Sequence, residues 1–527
     1  MLPQRLREEA LPERFLEDLL SFTTNAAAGS LTQTDRTAVF SPLTEAQLGW
    51  VADGTESDVE EAFRLARAAQ SEWAERSVAE RARVLEEFHK LVYRRRELLA
   101  DIVQLETGKD RTAAYDEVLD VLNNARYYAN NADSLLAAKR RAGAFPVITT
   151  TREQRVPKGV VGQISPWNYP LALGVSDAVA ALVAGNAIVA KPDSTTPFST
   201  IIAQKLLVNA GMPRDLFQVV TGTGEVVGQA IAQRCDYLMF TGSTATGRLL
   251  GKTMGERLVG YSAELGGKNA MIVAPDADIA KHAQTIATAC FSNSGQLCVS
   301  IERIYVHAGV YEEFLVALKT ATEAIVLGKG LNWDYEMGSL ISQKQLERVQ
   351  AYVDDAVAKG ATVLTGGAAR PDIGPYHFAP TVLTDVPDGA DLKSEEVFGP
   401  VVFVEQVDSL DEAVERANSL DYGLNASVFA KPATAWKLAR RIESGSVTIN
   451  DGYAATWASI DAPLGGVKAS GMARRHGAEG LTKYTEVKNI SQQRIMPMRG
   501  PRFMPRRLYG AVMTSALDAG RRLRFLP

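Results

Sequence analysis

Hydrophobic and polar residues follow two different periodicities along this chain. From about residue 57 to 135, alanines and leucines recur at helical spacing. Ser57 with Glu60 and Ser77 with Glu80 have the spacing of capping boxes, which mark helix starts. This region therefore predicts a set of scaffold helices.

Short apolar runs alternate with longer helical runs through the rest of the chain. Strands are predicted for GVVGQISP, NAIVAKP, LFQVVTG and DYLMFTG, and helices for IIAQKLLVNAG and EVVGQAIAQRC. A second set follows, with strands at IERIYV and TVLTGG around helical runs. Strands that alternate with helices form parallel, doubly wound sheets. We therefore predict an α/β protein with two such units, split near residue 265.

Composition is that of an ordinary globular protein, with 527 residues, 46% of them hydrophobic and 23% charged. The net charge of −5 gives no reason to expect nucleic-acid binding. Three cysteines without a CxxC pair predict neither a disulfide framework nor a metal site, and they favour a reducing cytoplasm. The most apolar stretch, residues 171–190, contains Asp177 and Asn186, which favours a buried helix and strand over a membrane span.

The last 34 residues, 494–527, differ in charge from the rest of the chain. They contain eight arginines and one aspartate, without lysine or glutamate. Two interpretations stay open. The segment is a solvated tail or an arm across an oligomer partner, or it is a basic amphipathic element that makes weak contact with an anionic membrane surface.

Cys298, in FSNSGQLC, follows Glu264, in ELGGKN, by thirty-four residues. A thiol can act as a covalent nucleophile, and a nearby carboxylate can then activate the water that releases the product. This combination suits the oxidation of an aldehyde through a thioester. Most lone cysteines are inert core residues, which is the interpretation we give to Cys235 and Cys290.

Three further segments could serve this chemistry, although each could also be structural. Two prolines in PWNYP hold Asn168, whose amide could donate to an oxyanion. Lys191 ends a predicted strand, where it could reach ribose hydroxyls or phosphate. In FTGSTATG, Gly242 and Ser243 lie at a turn into a helix, where backbone amides attract phosphate.

Two later segments carry weaker signals. EEVFGP offers Glu396 as a hydrogen-bond acceptor and Phe398 as a flat apolar face before a turn. The loop at 450–471 is rich in small and aromatic residues and could line a pocket. A solvated glutamate and an ordinary surface loop are the alternatives.

The order of these motifs resembles the aldehyde dehydrogenase superfamily over roughly residues 35–490. The series is PWNYP, KP, FTGSTxxG, ELGGKN, GQxC, EExFGP and PxGGxKxSG. The resemblance implies a small β arm used in oligomerisation, as a dimer or tetramer of identical chains, beside the two α/β domains. The implied division is an N-terminal segment 1–36, a cofactor-binding domain of 37–140 and 157–265, a catalytic domain of 266–483, the arm of 141–156 and 484–493, and the basic tail 494–527.

The resemblance also assigns roles to residues. It implies Cys298 as the nucleophile, Glu264 as the general base, and Asn168 with the backbone N–H of Cys298 as the oxyanion hole. Cofactor contacts are implied for Lys191 and Glu396 at the ribose hydroxyls, Ser243 at the pyrophosphate after Gly242, Phe398 near the nicotinamide ribose, and Trp167 at the pocket floor. Glu264 favours hydrolysis over transfer to coenzyme A, and no metal is required.

Ser194 bears on the choice of cofactor. Many NAD-preferring members of the superfamily have a glutamate at this position, which would repel a 2′-phosphate, whereas a serine hydroxyl can donate to it. Asp193 next to it could restore some repulsion. We therefore predict that NADP is used and preferred, with NAD as the other cofactor.

The substrate is less well defined. The sequence is most similar to NADP-linked succinate-semialdehyde dehydrogenases, but Ser176 and Ser292 stand where those enzymes typically carry carboxylate-binding arginines. Trp457 and Ser459, on the loop at 450–463, could line the pocket instead. Succinate semialdehyde is the first candidate, and an apolar aliphatic or aromatic aldehyde is the second. An inactive, membrane-docked binding protein is the alternative from another class.

Overall fold

The computed structural model describes residues 13–23, 36–143, 148–495 and 497–521. Most of the predicted N-terminal segment, part of the predicted hairpin at 141–156 and the end of the basic tail lie outside these residues. The described part of the N-terminal segment contains the helix Glu13–Leu20.

Helices fill the region predicted to be helical: Glu56–Glu75, Val78–Arg94, Arg96–Thr107 and Arg111–Leu136. The capping box of Ser77 with Glu80 is confirmed. The predicted start at Ser57 is wrong, because Thr55 caps the first helix with Asp58. Thr55 has the same three-residue spacing to an acid, so the sequence contains two overlapping candidates for one helix start.

The first sheet has five parallel strands and one antiparallel strand at its edge. In spatial order the strands are Gly471–Met472, Gly260–Glu264, Tyr237–Thr241, Val160–Ile164, Ala187–Lys191 and Phe217–Val219. Its helices are Pro170–Val183, Phe198–Asn209, Gln229–Ala232 and Thr244–Arg257. The run EVVGQAIAQRC, predicted as one helix, is a π-helical turn at Gly224–Gly228 followed by the short helix.

The second sheet has seven strands, of which only Thr362–Thr365 runs antiparallel to its neighbour. The spatial order is Thr362–Thr365, Thr381–Thr384, Val401–Val407, Ile301–His307, Asn269–Val273, Asn425–Phe429 and Ser446–Ile449. Its helices are Ile279–Phe291, Tyr311–Glu323, Gln343–Ala358, Leu410–Asn418 and Pro432–Ala439. The chain is thus an α/β protein with two doubly wound sheets.

Two small antiparallel sheets complete the strands. Arg36–Phe40 pairs with Gln47–Ala52, and Thr149–Pro157 pairs with both Lys139–Arg141 and Thr485–Gln493. The three-stranded sheet is the β arm expected from the sequence. The domain boundaries and the role of this arm in oligomerisation stay predictions.

Three helices follow in the C-terminal part: Ala454–Ala458, Gly477–Thr482 and Arg506–Gly520. The last of these has no buried residue. Within the described ranges, no helix is both long enough and apolar enough to cross a membrane.

The motifs gather where the two sheets meet. Ile164, Lys191, Thr241 and Glu264 are the last residues of four neighbouring strands of the first sheet, and parallel strands place their carboxyl ends at one edge. Cys298 lies just before the strand Ile301–His307 of the second sheet. The fold therefore brings the two groups of motifs to a common edge.

Candidate active site

The segment between Glu264 and Asn269 crosses from the first sheet to the second and contacts Cys298. Asn269 begins the next strand, and its side-chain amide donates to the carbonyl oxygen of Cys298 at 2.7 Å. A Cβ atom on Gly267 would lie 3.0 Å from the same oxygen. Glycine at this position therefore allows the ELGGKN turn to pack directly on the Cys298 backbone.

Cys298 lies in an apolar pocket, and the residue is only partly exposed. It packs against a cluster that contains Tyr169 and Leu297, together with Trp457. Burial, followed by the charges of Glu396 and Glu264, raises the pKa of Cys298 to about 12. At neutral pH the thiol is therefore protonated, and a base must remove its proton before it can attack.

The two other cysteines fit the structural role predicted for them. Cys235 and Cys290 are fully buried, and burial raises the pKa of each thiol. All three cysteines are free. Among them, Cys298 alone has an accessible surface.

Glu264 is buried, with 7% of its surface exposed, and burial raises the pKa of its carboxyl to about 7. Arg475 and Lys483 oppose this shift, but both also pair with Asp177, so their charge is shared. A Cβ atom on Gly465 would lie 2.7 Å from Oε1 of Glu264. The carboxyl is thus enclosed and titrates close to neutral pH, as a general base requires.

Asn168 is buried at the turn that precedes the helix Pro170–Val183. Its side-chain amide donates to the carbonyl of Gln296 at 3.1 Å, two residues before Cys298. Its own backbone carbonyl accepts from Lys109 at 2.7 Å, and Lys109 forms a fully buried ion pair with Glu117 at 2.6 Å. An amide NH₂ has two donors, so a second one remains for a ligand. The Lys109–Glu117 support was not visible in the sequence.

The ring of Phe398 meets the ring of Trp167 edge to face, with centroids 5.5 Å apart. Phe398 has a positive φ of 56°. Its backbone N–H donates at 3.0 Å to the carboxylate of Glu302, which pairs with the buried Lys268 at 2.5 Å. This ion pair anchors the EEVFGP loop over the PWNYP turn.

The side chain of Glu396, from the EEVFGP loop, packs on the ELGGKN turn. Its Oε1 accepts from the backbone N–H of Gly267 at 2.8 Å, and a Cβ atom on Gly266 would lie 2.4 Å from Oε2. Burial and then the charge of Glu302 raise the pKa of Glu396 to about 7. The predicted ribose-binding carboxylate is therefore within the same group of loops as Cys298 and Glu264.

The remaining predicted cofactor residues line the carboxyl edge of the first sheet. Lys191 is buried, its ammonium donates to the carbonyl of Pro192 at 3.2 Å, and burial lowers its pKa. The hydroxyl of Ser194 donates to the carbonyl of Gly222 at 2.9 Å. Ser243 is exposed and caps the helix Thr244–Arg257.

These residues fit a dinucleotide on structural grounds. A Cβ atom on Gly242 would lie 2.6 Å from the ring of Phe240, so a side chain at this turn would displace that ring. The exposed start of the following helix offers backbone N–H groups to phosphate. Lys191 has donors beyond its single bond to Pro192, and these can reach hydroxyl oxygens.

A cavity of about 760 Å³ adjoins the apolar cluster around Cys298, and it contains only part of the predicted substrate pocket. Ser292 and Trp457 line this cavity. Ser176 instead lies at a smaller neighbouring cavity and donates to Asp120. Ser459 lines neither of these two cavities, and its hydroxyl donates to the carbonyl of Ala455 at 2.7 Å.

A family model described as "Aldehyde dehydrogenase family" matches residues 30–490. This range contains both sheets and every motif of the site. The chain therefore belongs to the aldehyde dehydrogenase family.

Individual relatives are similar over most of the chain. A protein of Mycolicibacterium smegmatis is 50% identical over 482 residues, which are 91% of this chain and 93% of that protein. One of Mycobacterium tuberculosis is 52% identical over 453 residues, covering 86% and 88%. Both are named "Putative succinate-semialdehyde dehydrogenase", with NADP(+) in the name. The NAD+ complex of an aldehyde dehydrogenase from Bacillus cereus has a TM-score of 0.82 at 36% identity, covering 87% of this chain and 93% of that one.

Proposed function

We propose that this chain oxidises an aldehyde to a carboxylic acid with NADP or NAD, using Cys298 as nucleophile and Glu264 as base. The observation that carries the proposal is the contact between the ELGGKN turn and the Cys298 backbone, which joins thiol and carboxyl in one enclosed site. Hydrolysis is preferred over transfer to coenzyme A because Glu264 titrates near neutral pH.

The residues would act in a defined order. Cys298 loses its proton to a base and its sulfur bonds to the aldehyde carbon, while the Asn168 amide and the Cys298 N–H stabilise the negative oxygen. A bound nicotinamide dinucleotide supplies the acceptor for the hydride. Glu264 then takes a proton from water as the water attacks the thioester. The carbon–sulfur bond breaks, the acid leaves, and Cys298 regains a proton.

Lys191, Ser243 and Glu396 would hold the cofactor. We propose that NADP is preferred, because the two mycobacterial relatives carry NADP(+) in their names and Ser194 adds no negative charge at its strand end. Replacing Ser194 by Glu should lower kcat/KM for NADP about tenfold or more with little change for NAD. The matched control, Ser194→Ala, removes the hydroxyl without adding charge and should lower kcat/KM for NADP much less than Ser194→Glu does. If Ser194→Glu lowered kcat/KM equally for NADP and NAD, Ser194 would have no role in the choice of cofactor.

Two substrate classes are candidates. The names of the mycobacterial relatives support succinate semialdehyde. A second candidate, an aldehyde without a carboxylate, is favoured by the lining of the large cavity. Of the described lining residues, Arg126 is the single permanent cation, and it lies at the exposed end of the wall.

The test is a substrate panel with both cofactors, followed by absorbance of the reduced nicotinamide. The intact chain should turn over at least one of succinate semialdehyde, hexanal and benzaldehyde, and Cys298→Ser should abolish the activity. Cys235→Ser and Cys290→Ser are the matched controls and should remain active. Thiol labelling of Cys298 that NADP does not slow, together with no turnover, would favour the inactive binding protein.

For the assembly we propose a homo-oligomer formed through the three-stranded sheet. The strand Thr485–Gln493 is exposed along almost its whole length, which supports a partner at this edge. The helix Arg506–Gly520 has no buried residue. We propose that it makes weak contact with the oligomer partner or with an anionic membrane surface. The three free cysteines support a cytoplasmic location.

A further inference from the structure

The large cavity next to Cys298 has an acidic wall. Its carboxylates are Asp110, Asp116, Asp120, Glu336 and Asp451. Asp116 and Asp120 lie four residues apart on the helix Arg111–Leu136, so they share one face. Arg126, the permanent cation of the described lining, follows ten residues after Asp116, which is about 15 Å along a helix. Lys109 lies behind this wall, with its ammonium 3.7 Å from the centroid of the Tyr169 ring, but it is fully buried and paired with Glu117. The inner wall therefore keeps a net negative charge.

Most of these carboxylates are already engaged in the fold. Asp110 caps its helix through the N–H of Ala113 at 3.0 Å, Asp120 accepts from Ser176, and Asp451 accepts from the N–H of Ala455 at 2.6 Å. Asp116 differs, because no donor of the described chain lies within hydrogen-bond distance of its carboxylate. A partly buried carboxylate without a donor is costly, so this group is suited to a ligand.

Tyr169 supplies an independent indication of a ligand. The residue is 4% exposed and lines the cavity, yet its hydroxyl has no hydrogen-bond partner in the described chain. Buried hydroxyls are almost always paired. Burial, then Tyr453 and then Asp116, raise the pKa of Tyr169, so the free carboxylate and the free hydroxyl share one region.

Aromatic rings surround this region. Tyr169 lies 6.4 Å from Trp457 between ring centroids, and Tyr453 also lines the cavity. The cluster that contains Tyr169 is the one that Cys298 packs against. A substrate whose aldehyde reaches Cys298 would therefore place its other end among these rings and Asp116.

We propose that this cavity selects aldehydes that carry an ammonium group. One face of the Tyr169 ring already holds the ammonium of Lys109, so the aromatic attraction for a ligand comes from Tyr453 and Trp457. Their rings and the Asp116 carboxylate attract a cation together, and the hydroxyl oxygen of Tyr169 can accept from a primary ammonium. The same wall repels the carboxylate of succinate semialdehyde. The inference rests on the aldehyde oxidation proposed above and decides between its substrate classes.

Isosteric pairs of aldehydes test the charge alone. 3-Aminopropanal differs from butanal by an ammonium in place of a methyl group, and 4-(trimethylammonio)butanal differs from 5,5-dimethylhexanal by a nitrogen in place of a carbon. At low ionic strength each cation should exceed its neutral partner in kcat/KM by about tenfold or more, and succinate semialdehyde should be the weakest. Neutral partners that equal or exceed their cations, or succinate semialdehyde as the best substrate, would overturn the proposal.

Variants then locate the effect. Asp116→Asn should reduce the cation-to-neutral ratio in both pairs, whereas Asp133→Asn, an exposed acid on the same helix, should leave it unchanged. Tyr169→Phe should reduce the ratio for the primary ammonium only, because a quaternary ammonium has no N–H to donate. Unchanged ratios in Asp116→Asn would contradict the proposal even if the cations were preferred.

The two proposals fail in different ways. If only the charge preference is wrong, neutral aldehydes are still oxidised and the activity still depends on Cys298. If no aldehyde of any charge is oxidised with either cofactor, the proposed function itself is wrong.

Discussion

The pKa values of Cys298 and Glu264 suit these two residues to different steps of the proposed reaction. Burial holds the thiol protonated, with a pKa of about 12, and holds the carboxyl near pH 7. Each carboxylate near the sulfur disfavours the thiolate further. A buried thiol that is neutral at rest avoids unwanted reaction, and its proton must leave when the aldehyde is bound.

Replacing Glu264 by Gln tests the second half of the cycle. The amide keeps the shape of the side chain but cannot accept a proton from water, so hydrolysis of the thioester should slow by about 100-fold or more. Stopped-flow absorbance should then show one burst of reduced nicotinamide per site, followed by a slow steady state. Glu256→Gln, on an exposed position of the neighbouring helix, should behave as the unchanged chain. If Glu264→Gln showed no burst, Glu264 would instead be needed before or during reduction of the nicotinamide.

The pH profile of hydrolysis should follow the carboxyl of Glu264. Its pKa is raised to about 7, so the base is protonated and inactive below that pH, and the rate should fall as pH drops through about 7. Arg475 lowers this pKa, and Arg475→Met should therefore move the fall to higher pH. Arg475→Lys keeps the charge and should move it less. A profile that does not move in a folded Arg475→Met chain would contradict the assignment.

The sequence revealed those site residues that lie inside compact motifs. Asn168 and Lys191 could be found because prolines and strand ends fix their backbone locally. Arg475 and Asp116 could not be found, because their importance comes from Asp177 and Tyr169, which lie far away in sequence. Ser176 was assigned to the substrate pocket only from its position in the sequence relative to the PWNYP motif. In the structure its hydroxyl donates to Asp120.

Among the elements, the segment that connects the first sheet to the second is the one that links the fold to the proposed chemistry. One strand ends at Glu264, the next begins at Asn269, and the turn between them lies on Cys298 and Glu396. The sequence predicted a division between the two units near residue 265, but it predicted neither of these two strands. It could not predict the packing of the turn, which depends on glycines that meet residues of distant loops.

Replacing Gly267 by Ala should disturb this packing. The new Cβ would lie 2.7 Å from Oδ1 of Asn269 and 3.0 Å from the carbonyl of Cys298, so the Asn269 side chain that holds this carbonyl must shift. A small misplacement at a reacting centre is costly, and kcat/KM should fall about tenfold or more. Gly255→Ala is the matched control, because its Cβ would meet no atom within 4 Å in the helix Thr244–Arg257.

Gly267→Ala should also change the rate at which iodoacetamide alkylates Cys298, whereas Gly255→Ala should not. Normal activity and normal alkylation in Gly267→Ala would show that the turn tolerates a side chain. In that case the contact would not position the thiol.

At the scale of the whole molecule, the three-stranded sheet is the element without an obvious role inside one chain. Alternating strands and helices predicted two parallel sheets, and both are present. The return of Gly471–Met472 to the first sheet was not predictable, because two residues carry no periodic signal. The pairing of Thr485–Gln493 with Thr149–Pro157 was anticipated only from the resemblance to the family.

The exposed edge of this sheet leads to a prediction about assembly. Thr485–Gln493 pairs on one side with Thr149–Pro157, and no described strand covers its other side. Val487 and Ile490 on this strand are apolar and exposed. Unprotected edges with apolar side chains tend to pair with another chain. The double variant Val487→Lys with Ile490→Lys should therefore lower the mass measured by light scattering after size-exclusion chromatography.

Two comparisons separate the sheet edge from other causes. Val316→Lys adds a charge at an exposed apolar position of the helix Tyr311–Glu323 and should leave the mass unchanged. A chain that ends at Gln493 keeps the strand but lacks the arginine-rich tail, and it should remain oligomeric because the strand makes the contact. If the truncated chain dissociates while the double variant does not, the basic tail forms the interface and the sheet does not.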